Sequence, residues 1–193
     1  MLSGVRIRES LQRGTLSFTG HVRGNGLLLS LGSHLLEFAH VTQCIEPWQQ
    51  TSVAQGYERQ QDAWEHYELG SGKCVLIAAQ EHLALPPYIG GAIGTLSHIA
   101  RLGLFTHFAS PFVAPGYQGY LALELLNVSP NRIRLRPGLP VAKVILFLTD
   151  GIDPEAGESS LPFWYSSTPH AQVDLRSRFP DEFRNDLLGP TDA

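Results

Sequence analysis

Glu124 is the residue in this sequence with the clearest chemical use. It is the only ionisable acid in the run Tyr120-Leu121-Ala122-Leu123-Glu124-Leu125-Leu126-Asn127-Val128. In a strand, successive side chains point to opposite faces, so Tyr120, Ala122, Leu126 and Val128 share the face of Glu124. Leu121, Leu123 and Leu125 take the other, which makes both faces apolar. A carboxylate in such a place must be paired, hydrogen-bonded or protonated. Desolvation raises its pKa toward the range in which a carboxyl group both takes and returns a proton near neutrality. A structural Glu satisfied by an Arg or by backbone amides accounts for the same strand equally well. Ser97 and Arg101 form a second pair. Four residues apart on a helix, they share a face. A hydroxyl and a guanidinium together hold a water or a phosphate; the alternative is an ordinary solvated helix face. The turn Ala114-Pro115-Gly116-Tyr117-Gln118-Gly119 leads directly into the Glu124 strand. Its backbone and Tyr117 are placed either to rim a pocket or merely to close a tight hairpin.

The elements that must position these residues are mostly strands. Ser3 caps a short helix that stops at Gly14, with Val5, Ile7 and Leu11 as a rough apolar stripe. A short strand is predicted over Thr15–Thr19, then an apolar stretch from Leu27 to Phe38 in which Gly32 marks a bend or bulge. Gln49–Asp62 is polar and reads as a surface excursion. Trp64–Leu69 and Lys73–Ala79 read as strands around Gly70-Ser71-Gly72. Gly90, Gly91 and Gly94 suggest a loose loop. Thr95 is the expected N-cap of one short helix through Arg101, ended by Gly103. Tyr120–Val128 is a strand. Ile133 and Leu135 alternate with Arg132, Arg134 and Arg136, and Val141–Leu148 is a further buried strand. Strand after strand, with one helix at the start and one in mid-chain, gives a mainly β fold class.

Composition narrows the function. The 193 residues carry 14 basic and 18 acidic side chains, a net charge of −4, which argues against a nucleic-acid backbone as partner. No apolar run reaches the roughly 18 residues of a membrane span, and the first 14 residues lack the apolar stretch of a signal peptide. Cys44 and Cys74 are too few for a disulfide framework, so a cytoplasmic location is expected. Gly72-Lys73 lacks the rest of a phosphate-binding loop, and Gly24-Asn25-Gly26 lacks the third Gly of a dinucleotide fingerprint. His66-Tyr67-Glu68 has half of a zinc-deaminase signature without the paired cysteines. Asn127-Val128-Ser129 fits a glycosylation triplet but lies in an apolar strand. The eight His residues are scattered, and no protein-ligated metal is expected.

Read in order, Ser97-x-x-x-Arg101-x-Gly103-Leu104, His107, Pro115-Gly116-Tyr117-x-Gly119, Leu123-Glu124-x-x-Asn127 and Leu135-Arg136-Pro137-Gly138 resemble the dCTP deaminase family of the dUTPase-like superfamily. The resemblance covers about residues 1–150 and is strongest over Leu96–Phe147. It implies a dUTPase-like distorted β-barrel, or jelly roll, over residues 1–150, assembled as a homotrimer with sites between subunits. Residues 151–193 would then be a tail that docks on the barrel or on a neighbouring subunit. The family deaminates dCTP without zinc, with magnesium accompanying the triphosphate. By position, Glu124 resembles the general acid/base, while Ser97 and Arg101 match residues that orient the attacking water and stabilise developing charge. Tyr117 matches an aromatic position of the site's turn, and Ser110 the segment that contacts the water or the base.

The departures fall on the grips rather than on the chemistry. Leu96 and His98 replace an Arg and a Ser of the family's Arg-Ser-Ser run, and Ala114 replaces an Asp that meets the deoxyribose. Leu27-Leu28-Leu29-Ser30-Leu31-Gly32 replaces Val-Asp-x-Arg-Leu-Gly. Tyr165 is the one tail residue that resembles a phosphate ligand. The resemblance therefore implies deamination of a cytosine nucleotide with an altered sugar and phosphate site. Its alternative is a non-catalytic nucleotide-binding or interaction homologue. A dUTPase-type pyrophosphatase ranks third, since Ala114 offers no carboxylate to activate a water.

Overall fold

Apolar alternation along residues 74–84 and 118–127 decides how the sheet curls. The computed structural model describes residues 1–44, 57–61 and 63–151. In chain order the elements are α1 (Gly4–Gln12), β1 (Ser17–Phe18), β2 (Leu27–Phe38), β3 (Tyr57–Gln61), β4 (Tyr67–Leu69) and β5 (Cys74–Ala84). They continue with β6 (Ile89–Thr95), α2 (Ser97–Ala100), β7 (Leu104–Thr106), β8 (Phe112–Val113), β9 (Gln118–Asn127), β10 (Ile133–Leu135) and β11 (Pro140–Leu148). A curled antiparallel sheet runs in the order β7-β9-β5-β2-β11-β6-β8, with β1 on β5 and β3 on β2. β10 and β4 form a separate ribbon. Among the described residues the fold is mainly β with two helices, as the sequence predicts.

Val75, Ile77, Ala79 and Leu83 of β5 join Leu121, Leu123 and Leu125 of β9 in the main core. The alternate residues of β9 are half-buried on the outer face. That face carries a second small buried cluster, Leu36, Leu76 and Ala78. At the start of the chain, Ser3 accepts the Arg6 N–H at 3.3 Å and caps α1. Ile7 is fully buried, and Leu2 N donates to the Leu146 carbonyl at 2.7 Å. Loss of so buried an Ile side chain typically costs about 2–5 kcal/mol.

Several local expectations change for identifiable reasons. β4 does not pair with β5 across Gly70–Gly72. It pairs with β10 instead, because Leu69 and Leu135 both reach the core and Glu68 meets Arg134 at 2.7 Å. Gly90, Gly91 and Gly94 belong to a strand, not a loop. A Cβ at Gly91 would come within 2.7 Å of Val144, and one at Gly90 within 2.9 Å of Phe147, so close packing on β11 demands glycine. Thr95 does not cap α2: Leu96 takes that position, and the Thr95 hydroxyl meets Thr106 N and O across to β7. Gly32 does mark an irregularity, as the β2–β5 register shifts between Leu31 and Leu35. Within Gln49–Asp62, residues 57–61 are strand β3 against β2, and the remainder lies outside the described residues, as does the tail beyond residue 151.

Candidate active site

β9 places Glu124 opposite Leu76 of β5, on the outer face of the sheet. On the other flank, β7 pairs with Leu125–Asn127, and its chain then bends at His107. Among the described residues His107 is the only non-glycine with positive φ, at 54°. The left-handed turn lets the His107 N–H donate to the Glu124 carbonyl at 2.6 Å. Two residues on, the Ala109 N–H donates to Glu124 Oε2 at 3.4 Å. One short bend thus meets both the backbone and the carboxylate of Glu124.

The expectation that both faces of this strand bury Glu124 is corrected. Only Leu121, Leu123 and Leu125 enter the core, whereas Glu124 and its neighbours Tyr120, Ala122 and Leu126 stay half-buried. Neighbouring titratable groups register its charge. Burial, reinforced by Glu124, pushes the Cys74 thiol up to about 11. Burial holds the His107 imidazole below its usual value, opposed by the Glu124 charge and the carbonyls of Ser110 and Ala122. His107 Nδ1 is buried without a hydrogen-bond partner among the described residues.

α2 carries the second group. Ile99 anchors it in the core, while Ser97, His98 and Arg101 are exposed. Arg101 N donates to the Ser97 carbonyl at 3.1 Å, which puts the two residues one turn apart. Gly103, at φ 81°, turns the chain into β7, and its carbonyl accepts from Val128 N at 2.8 Å. α2 therefore sits beyond the Asn127 end of β9. Among the described residues no ion pair or side-chain hydrogen bond joins Arg101 or Ser97 to Glu124, so Arg101 is not the counter-ion of Glu124 within one chain. Ser110 is exposed directly after the bend that holds Glu124, and Ala114 is exposed in the following turn. Tyr117 is 2% exposed and packs in the core, and Gly116 N beside it donates to the Pro86 carbonyl at 3.2 Å.

Three residues escaped the sequence reading. His107 was visible in the spacing but had no assigned task, since nothing in sequence marks a left-handed histidine. Glu81 lies on β5 with inward parity, 9% exposed, and accepts Ser30 N–H at 2.8 Å. Burial raises its pKa, opposed by its bonds to Ser30 and by His21. Asn127 is fully buried and donates to the carbonyls of Leu69 (2.9 Å) and Asn131 (2.7 Å). Among the described residues no group of three or more His, Cys, Asp or Glu is placed to hold a metal ion, and no helix is long and apolar enough to cross a membrane.

Residues 1–149 match the dCTP deaminase-like family. The chain is 28% identical over 149 residues to a dUMP-forming dCTP deaminase of Methanoregula boonei, covering 75% of this chain and 80% of the relative. A dUMP-forming dCTP deaminase of Corynebacterium diphtheriae is 41% identical over 83 residues, 43% of this chain and 44% of the relative. Among solved structures, the 2'-deoxycytidine 5'-triphosphate deaminase of Agrobacterium tumefaciens superposes with a TM-score of 0.60 at 21% identity. That superposition covers 77% of this chain and 48% of that one, and it supports the shared fold.

Proposed function

The chain belongs to the dCTP deaminase-like family, and on that premise we propose that it hydrolytically deaminates a cytosine nucleotide, without zinc, at a site centred on Glu124. One observation carries the proposal: the Glu124 carboxylate is half-open to the outside and is fixed by the His107–Ala109 bend. A fixed, accessible carboxylate is what a proton shuttle needs. Glu124 takes a proton from water as the water oxygen bonds to C4 of the base. It returns the proton to the amine, the C4–N bond breaks and ammonia leaves, while the remaining hydroxyl proton moves to N3 of the base, which leaves a C4 carbonyl and an N3–H. One water is consumed and one ammonia released. Ser97 orients the water, and Arg101 offsets the negative charge that develops on the substrate; both are exposed and able to meet a ligand. Ser110 and its backbone line the base.

The outer face supports a site shared between copies in a homotrimer. Leu36, Leu76 and Ala78 cluster there, with Tyr120, Ala122 and Leu126 half-buried and Phe105 exposed beside them. A neighbouring copy on this face would desolvate Glu124 and bring an α2 to it. Magnesium enters with the substrate's phosphates, whose oxygens are its natural ligands. Two free cysteines fit a cytoplasmic protein. Leu28, Ser30, Leu96 and Ala114 leave the sugar and phosphates with fewer charged partners, and each lost charged contact costs about 1.5–3 kcal/mol. Cleavage of the phosphate chain is not part of the proposal, because Ala114 supplies no carboxylate for a second water.

Ammonia release measured across cytidine, deoxycytidine, dCMP, dCDP and dCTP tests this function, with a thermal-shift series alongside. Release from at least one of them is expected, with dCTP raising Tm no more than dCMP. No release from any of them refutes the deaminase. A large shift specific to the triphosphate refutes the altered phosphate site.

A further inference from the structure

We propose that His107 is a positioning residue for Glu124: its left-handed bend fixes the carboxylate, and its imidazole sets the electrostatic field in which Glu124 exchanges its proton. The inference rests on the deaminase function proposed above, which assigns the proton shuttle to Glu124 and no task to His107.

Three observations converge. The backbone of His107 adopts φ 54°, a conformation that is uncommon for residues other than glycine and worth a functional question when it occurs. That conformation is what aims the His107 and Ala109 N–H groups at the two ends of Glu124. The ring is half-buried, and its Nδ1 has no hydrogen-bond partner among the described residues. Buried polar atoms are nearly always satisfied, so each exception asks for an explanation. Finally, the Glu124 charge acts on the ring, favouring the imidazolium against the opposing effect of burial.

The direction of that coupling follows from the groups present. The titratable groups acting on the ring or on its partner are Glu124 on β9 and Cys74 on β5. Cys74 is a neutral thiol throughout the working range. Burial keeps the imidazole neutral near neutrality. A neutral ring leaves the Glu124 carboxylate without a cation beside it. As pH falls, the ring gains charge and sets a cation against the group that must take the water's proton. Activity should then fall on the acid side with a limb that belongs to the His107–Glu124 pair.

The test uses the full chain. Asn tolerates the left-handed conformation and does not titrate, so His107→Asn keeps the bend and removes the imidazole. The expected result is kcat lower by about 10–10²-fold, KM nearly unchanged, and an acid limb displaced to lower pH. A merely structural histidine would lower Tm and leave the pH profile of the remaining activity where it was, which overturns the proposal. A second readout needs no activity: the NMR titration of the His107 ring in the wild type and in Glu124→Gln. Removing the carboxylate should move the midpoint of His107 to lower pH, and an unmoved midpoint overturns the proposal. A wild type that releases no ammonia while this midpoint shifts refutes the deaminase and leaves the coupling supported.

Discussion

Two glutamates on neighbouring strands of one sheet have opposite fates. Glu81 on β5 has inward parity with Ile77, Ala79 and Leu83, and it spends its carboxylate on the Ser30 N–H. A Cβ at Gly20 would come within 2.5 Å of the Glu81 Cγ, so no ligand reaches it from that side. Glu124 on β9 points outward, half-open, held by backbone amides of a bend. Burial has raised the pKa of Glu81, the acid with no access. Residue type therefore decides neither role. Parity and cover do: the inward acid stabilises the joint between β2 and β5, and the outward acid is available for chemistry.

The sharpest way to break this contrast is Glu124→Gln. The amide keeps the shape and still accepts from Ala109, so Tm should stay within a few degrees. Ammonia release should fall by about 10²–10⁴-fold, because the amide cannot shuttle a proton. A mutant that unfolds instead would make Glu124 a structural acid like Glu81. Arg101→Ala comes next. Its side chain is exposed and makes no ion pair among the described residues, so stability should change by no more than about 0.5 kcal/mol. Loss of a charged contact to the reacting group corresponds to about 1.5–3 kcal/mol, a fall in kcat/KM of roughly ten- to a hundredfold. Equal losses of stability and activity would place α2 on the structural side.

Glu81 yields the smaller, purely structural effects. Glu81→Ala strips the buried Ser30 N–H of its acceptor and should cost about 1–3 kcal/mol in chemical denaturation, with kcat per folded molecule unchanged. Because the folded-state pKa of Glu81 is raised, its contribution is fully present below the ordinary carboxylate value and is lost as pH rises through the raised value. Glu81→Gln should remove that dependence, so its stability relative to the wild type should improve as pH rises. A Glu81→Gln variant that instead loses stability relative to the wild type as pH rises would mean that the buried carboxylate is better paired than the Ser30 contact indicates.

Much of this arrangement was legible in the sequence. Alternation gave β9 and β11, Ser3 gave the cap of α1, and the order of motifs from Ser97 to Gly138 gave the family. Parity could be read along β9, but cover could not: an outer face of Tyr120, Ala122 and Leu126 looks apolar in sequence whether or not anything lies over it. Pairing was hidden for a similar reason. Leu69 pairs with Ile133 across 64 positions, a contact that no local pattern in β4 announces. Glycines misled at 90 and 91, because close packing and loop freedom ask for the same residue. Thr95 misled because a good capping residue found a better partner in Thr106.

Asn127 bears on how the protein is best produced. Its amide nitrogen is committed to the carbonyls of Leu69 and Asn131, and its Oδ1 accepts from Ser129 N and Oγ at 2.9 and 2.8 Å. A glycan is attached to the nascent chain before these bonds form, and at this nitrogen it would block the interior position the side chain must occupy. Expression through a eukaryotic secretory pathway should therefore divide the product into unmodified, folded molecules and modified ones that are retained. Disabling the acceptor at Ser129 rather than at Asn127 would leave the buried amide in place.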